Sequence, residues 1–249
     1  MPAQTTHFGD KIVDLDAKPA LVQGLFADVA ASYDLMNDVL SFGVHRLWKD
    51  ALIDWIRPKP NLSYLDLAGG TGDIAFRLAR HLKGRQGALT VCDLTPAMLV
   101  EGQRRAAKRT GLGPLSWIAG DASNLPFADG SQAVVTIAFG LRNVAEPDKA
   151  LAEIYRVLRP GGQFFCLEFS KIVLPLLDKV YETYSVQAMP QLGQLVAGDR
   201  AAYQYLVDSI RRFTDQEGLL DWLRAAGFAK VSYRNLSGGI AAIHRGVRI

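Results

Sequence analysis

Cysteine is nearly missing from this chain: Cys92 and Cys166 are the only 2 in 249 residues, and each lies inside an apolar, strand-forming run. That excludes a disulfide framework and a thiolate metal cluster, and fits two core residues in a reducing compartment. Long apolar runs are missing too. No stretch approaches the ~18 residues that would suggest a membrane span. The N-terminal segment carries Asp10, Asp14 and Asp16 where a secretory signal would have a basic and then an apolar region. The expectation is a soluble, cytoplasmic protein. Charge of one sign is also scarce. A formal net charge of +3 and a pI near 8.8 demand no nucleic acid, while they permit weak attraction to an anionic membrane surface. There is no internal repeat, low-complexity tract, Pro-Pro-Tyr-like amino-methylation motif or Pro-Cys nucleophile.

What is present is apolar material in alternating patterns. With 49% hydrophobic residues the chain can bury a large core, and its length suits one α/β domain with elaborations. Strand formers concentrate at 64–67, 89–93, 115–119, 133–139 and 164–169, with helical patterns between most of them, which predicts a parallel sheet. Ile74, Leu78, Ala79 and Leu82 stripe the first crossover helix, and Thr95-Pro96 reads as N-cap and first residue of the second. A third helix runs from about Pro147 to Leu158, stopped by Pro160-Gly161-Gly162. Thr214-Asp215-Gln216-Glu217 has the form of a capping box ahead of Leu219, Leu220, Trp222 and Leu223, and two strands follow at 230–235 and 240–247. Seven strands with interleaved helices make a doubly wound, Rossmann-like sheet that binds ligands at its carboxyl edge.

Two segments stand outside that repeat. Residues 1–57 read as a mainly helical cover, with Leu21, Val22, Leu25, Phe26 and Val29 in one stripe able to fold over the cofactor loop. Residues 171–212 read as a helical insertion, with Leu176, Leu177, Val180, Tyr181 and Tyr184 on one face. These are the expected acceptor-site walls. The core between them spans 58–170, and 213–249 supplies the last helix and strands.

The richest stretch is Leu65-Asp66-Leu67-Ala68-Gly69-Gly70-Thr71-Gly72-Asp73, followed by Val91-Cys92-Asp93. An apolar strand ending in glycines lets the backbone turn sharply and approach a ligand, and an acid on the next strand suits ribose hydroxyls. Gly70-Thr71-Gly72-Asp73-Ile74-Ala75 fits the dinucleotide fingerprint, with Asp93 about 20 residues on, so a nicotinamide oxidoreductase is one reading. The other is a methyltransferase loop, an acid followed by small residues at alternate positions: Asp66, Ala68, Gly70 and Gly72, with alanine for the first glycine. Arg104, Arg105, Lys108 and Arg109 weakly suggest nucleic acid but read more simply as the solvated face of the second crossover helix.

The stretch from Tyr33-Asp34-Leu35-Met36-Asn37 through Ser41 to His45-Arg46-Leu47-Trp48 resembles the signature of the ubiquinone/menaquinone biosynthesis C-methyltransferases, the UbiE/COQ5 family. A second signature is matched from Arg156 to Ser170, with Arg159 where lysine is more usual. Thr6-His7-Phe8-Gly9, Phe139-Gly140-Leu141-Arg142-Asn143 and His244-Arg245-Gly246 extend the likeness over essentially the whole chain. The resemblance implies a class I fold dependent on S-adenosylmethionine. It implies C-methylation of a polyprenylated quinol: demethylmenaquinol, a methoxy-polyprenyl-benzoquinol, or both. It also implies association with a quinone-biosynthesis assembly at the inner face of the membrane, which the chain touches directly or through its partners. A non-enzymatic scaffold within such an assembly is the third reading.

By that likeness the cofactor positions fall on Thr71, near its amino-acid end, Asp93, on the ribose, and Asp121-Ala122, with Asp121 accepting from the adenine amino group. Ala138 stands where the family often has serine. Methylating ring carbon needs in-line approach and a means of removing protons, without metal or covalent intermediate. Arg142, with a pKa above roughly 12, suits stabilisation of phenolate charge, and Asn143 can orient a hydroxyl or water. Base candidates are His45, Tyr33 and Asp34, His45 foremost because its ordinary pKa is near 6.5. Each has a structural reading: Tyr33 and Trp48 as packing, His45 as a cap, and Arg142 as the partner of Glu168 or Asp121.

Overall fold

A computed structural model describes residues 5–29, 38, 41, 43–83, 85, 87–173 and 200–249. The chain opens with a hairpin, β1 (Thr5–Phe8) and β2 (Lys11–Asp14), then α1 (Lys18–Val29) and α2 (Val44–Ile56). The alternating core follows: β3 (Ser63–Leu67), α3 (Asp73–Leu82), β4 (Ala88–Asp93), α4 (Pro96–Ala107), β5 (Ser116–Ala119), β6 (Gln132–Ala138), α5 (Pro147–Val157) and β7 (Leu158–Phe169). It ends with α6 (Arg200–Arg212), α7 (Gln216–Ala225), β8 (Ala229–Leu236) and β9 (Ala241–Val247).

Seven strands form one sheet in the order β5-β4-β3-β6-β7-β9-β8. The chain runs outward from β3 to β5 and then returns to β6 on the other side of β3. The reversal opens a crevice at the carboxyl ends of β3 and β6, where doubly wound sheets bind ligands. The five strands β3 to β7 are parallel, as their alternation with helices predicts, and the last two make the sheet mixed: β9 lies antiparallel to both β7 and β8. The short turn at 237–239 joins β8 to β9, and a hairpin needs no helical crossover.

Each face buries its own core. On one, Leu52, Ile53 and Ile56 of α2 pack with Ile74, Phe76 and Leu78 of α3; on the other, Leu151 and Ile154 of α5 meet Phe164, Leu219 and Leu223. Most of these side chains are essentially inaccessible, and burying one fully contributes about 1.5–3 kcal/mol. The stripe of α3 is as the 3.6-residue period predicts. That of α1 is partly so: Val22 is buried and Leu21 is exposed.

Local details depart from expectation for identifiable reasons. Residues 1–57 hold a β-hairpin as well as helices, because Gly9, at φ +62°, turns the chain back between two four-residue strands. The helix α7 is capped by Asp215, whose carboxylate accepts from the Gly218 amide, so Thr214 is not the cap. Glu217 accepts from the Tyr233 hydroxyl. Pro160-Gly161-Gly162 lies inside β7 instead of in a helix stop: α5 ends at Val157, Leu158 already pairs with Gln132, and the Gly161 amide donates to the Arg248 carbonyl. Residues 176–184 lie outside the described residues.

Candidate active site

Four strand ends and α1 enclose an open cavity of about 780 Å³, its mouth included. Ala68 and Gly70 line it from the β3 loop, Asp93 from β4, Asp121 and Ala122 from beyond β5, and Phe139, Gly140 and Asn143 from beyond β6. Pro19, Val22 and Phe26 of α1 close it from above, as the apolar stripe predicts.

The loop is shaped by its glycines. At Gly72, φ is +85° and a Cβ would come within 2.6 Å of the Trp117 ring. At Gly70, φ is +53° and no atom lies within 4 Å of where a Cβ would stand, so bare backbone faces the cavity. The Gly70 amide donates to Asp93 Oδ2 at 2.8 Å and the Thr95 amide to Oδ1 at 2.8 Å. Each oxygen keeps acceptor capacity, and burial pushes the Asp93 carboxyl above its ordinary value while those two amides oppose the rise. Asp121 is held in the same manner, by the Ser123 amide at 2.8 Å.

Asp66 of β3 and Thr71 of the loop do not line this space. Asp66 is buried beneath the loop, accepting from Thr136 Oγ1 at 2.9 Å and the Ala75 amide at 3.1 Å. Burial lifts its pKa to about 7. The Thr71 hydroxyl accepts from Arg105 Nη1 at 3.2 Å, and Thr71 is not among the residues lining the cavity. Thus α4 is not uniformly solvated: Arg105 reaches the loop, while Arg109, exposed and just beyond the helix, stacks over Phe76 at 4.2 Å.

At the other end, Phe139 takes φ +58° and β6 gives way to a short 3-10 turn, Leu141–Asn143. Arg142 is buried and its Nη1 donates to Glu168 Oε1 at 2.6 Å and to the Phe139 carbonyl at 2.5 Å. Asn143 Oδ1 accepts from the Tyr205 hydroxyl at 2.9 Å. Burial raises Tyr205 to about 12, so the phenol stays protonated. Tyr205, Glu168 and Trp48 complete this edge. Of these, only Tyr205 carried no sequence signal, because its link to Asn143 spans 62 residues.

His45 is not where a base would be placed. It is buried on α2, its Nδ1 lies 2.7 Å from Ser41 Oγ, and it lines neither this cavity nor the one beside it. Burial and then the Lys49 charge lower its pKa to about 4, so the neutral ring is a feeble proton acceptor. Lys49 in turn pairs with Asp73 at 2.8 Å. Trp48 donates Nε1 to Ser237 Oγ at 2.8 Å and packs on Phe139 and Phe169. Trp48 therefore fastens α2 to the site's edge, while His45 is tied to Ser41, four residues before it. Tyr33 and Asp34 lie outside the described residues. No helix among the described residues is long and apolar enough to cross a membrane, and no His, Cys, Asp and Glu among them cluster to hold a metal.

The ubiE/COQ5 methyltransferase family model matches residues 14–248. The chain is 51% identical over 247 residues to a ubiquinone/menaquinone biosynthesis C-methyltransferase UbiE of Cereibacter sphaeroides, covering 99% of this chain and 98% of that protein. A UbiE of Paracoccus denitrificans is 51% identical over 244 residues, covering 98% and 97%. Among solved structures, a SAM-dependent methyltransferase of Thermotoga maritima superposes with a TM-score of 0.63 at 21% identity, covering 92% of this chain and 100% of that one.

Proposed function

The chain belongs to the ubiE/COQ5 methyltransferase family, and from that premise we propose that it methylates a ring carbon of a polyprenylated quinol, using S-adenosylmethionine. The acceptor is demethylmenaquinol, the demethylated benzoquinol of the ubiquinone pathway, or both. The observation that carries this reading is the cavity in which the bare Gly70 backbone, Asp93 and Asp121 face Asn143 across the switch point.

S-adenosylmethionine supplies an electrophilic methyl group when bound. The protein's own groups do the rest. Asp93, fixed by two backbone amides, offers its remaining lone pairs to a pair of ribose hydroxyls, and Asp121 accepts from an adenine amino group. Ala122 forms apolar wall beside it. Asp66 and Thr71 act beneath the surface, holding the loop against α3 and α4. Asn143, held by Tyr205, orients the acceptor hydroxyl or a bridging water. Arg142 stabilises phenolate character as a ring hydroxyl loses its proton, and Glu168 keeps its guanidinium aimed. Placed so, the ring carbon nearest the ionised hydroxyl gains electron density.

Methyl transfer from labelled S-adenosylmethionine to chemically reduced acceptors, with oxidised quinones as controls, tests the reading. Mass gain on ring carbon of the quinols alone is the expected outcome, and the ratio between acceptors names the pathway. Cofactor binding without transfer to either quinol would defeat it. The same assay with acceptors lacking the isoprenoid chain asks whether residues 171–212 help form a tail channel; equal turnover would end that idea. Sedimentation with vesicles tests peripheral membrane contact.

A further inference from the structure

A second cavity lies behind the wall formed by Val144 and Ala145, which line both spaces. Of its lining residues, the reaction just described uses only Arg142 and Tyr205. Arg142, Lys18 and Arg212 line it, and none of the described residues that line it carries a carboxylate. Two of the three cations are buried. Lys18 donates Nζ only to the Val144 carbonyl, at 3.1 Å, and burial lowers its pKa. Arg142, with a side chain only 3% exposed, leaves Nε buried with no hydrogen-bond partner.

A buried unpartnered N–H and a buried ammonium without a counter-ion are both costly, and an oxyanion relieves both at once. The charge count narrows the ligand. Glu168 offsets Arg142, whereas Lys18 and Arg212 have no carboxylate partner among the described residues. A buried amine and an exposed guanidinium, neither paired with a carboxylate among the described residues, beside the buried Arg142 edge match a phosphate monoester, which carries about −1.5 to −2 at neutral pH. The geometry points to a phosphomonoester-binding site formed by Lys18, Arg142 and Arg212. Its chemistry is met by free inorganic phosphate and by a monoester lipid headgroup such as phosphatidic acid. The site stands whatever the methyl acceptor proves to be.

The test uses the full chain in two arms: calorimetric titration with inorganic phosphate, and co-sedimentation with phosphatidylcholine vesicles with and without phosphatidic acid. Saturable one-to-one binding in either arm is expected, weakened about tenfold or more in Lys18→Met and in Arg212→Gln. Phosphate binding identifies a soluble ligand, and binding only to phosphatidic acid identifies the headgroup. Arg104→Gln, on a distant exposed pair, is expected to bind as the parent does. Arg212 is exposed, so Arg212→Gln still decides if Lys18→Met fails to fold. No saturable binding in either arm, or equal binding by parent and both variants, overturns the site.

Discussion

The two halves of the active-site cavity are held by different means. On the cofactor side, Asp93 and Asp121 accept from amides within two residues of themselves or in the adjoining loop. On the acceptor side, side chains hold one another across long stretches of chain: Arg142 with Glu168, and Asn143 with Tyr205. A carboxylate held by backbone keeps its geometry whatever the neighbouring side chains do. A side chain held by another fails when either is changed, so the acceptor half should be the more fragile.

The largest test of that contrast is the Arg142–Glu168 pair. Arg142→Ala strands a buried carboxylate and should cost about 3–5 kcal/mol of stability, read by denaturant unfolding. Adding Glu168→Leu to Arg142→Met should recover much of that loss. Strictly additive losses would mean the two do not act as a unit. Provided Arg142→Ala folds, turnover should fall far more than cofactor affinity; equal losses would give Arg142 a cofactor-side role.

The next concerns Asp66, which lies under the cofactor loop. Its folded pKa of about 7 exceeds the ordinary 3.8, so its contribution is fully present below about pH 4 and is lost as pH rises through 7. His45 and His244, each lowered to about 4, act in the opposite sense: their contribution is present above 6.5 and lost as pH falls through 4. Replacing Asp66 by Asn should therefore shift stability relative to the parent by a few kcal/mol in the variant's favour between pH 4 and 7, of order 1.4 kcal/mol per pKa unit. Urea midpoints across that range measure it, and a pH-independent difference would refute the buried carboxylate.

Asp93→Ala should weaken S-adenosylmethionine binding by about 1.5–3 kcal/mol, seen as a raised Kd with the fold intact. Unchanged affinity would remove Asp93 from the ribose. The smallest effect belongs to Tyr205→Phe, which deletes one hydrogen bond to Asn143 and should cost about 1 kcal/mol in kcat without altering cofactor affinity. A loss confined to cofactor binding would erase the distinction between the two halves.

Much of this was legible beforehand, and unevenly so. The crossover stripe Ile74, Leu78, Ala79 and Leu82 and the glycine loop with Asp93 are local patterns, and short-range periodicity and turn chemistry carry them. The hairpin at 5–14 escaped notice because two four-residue strands offer almost no periodicity. His45 looked like a base because residue type suggests an ordinary pKa; only its burial beside Lys49 moves that value to about 4. Arg142 was rightly suspected of pairing with Glu168, yet no spacing rule selects a partner 26 residues away.

By itself, the sequence determined the doubly wound core, the position of its glycine loop and the family, because each rests on neighbours along the chain. Tertiary structure decided which acids face the cavity, which histidine loses its basicity and which cations are left without counter-charge. Those outcomes depend on desolvation and on contacts between residues far apart in sequence, and no local pattern encodes either.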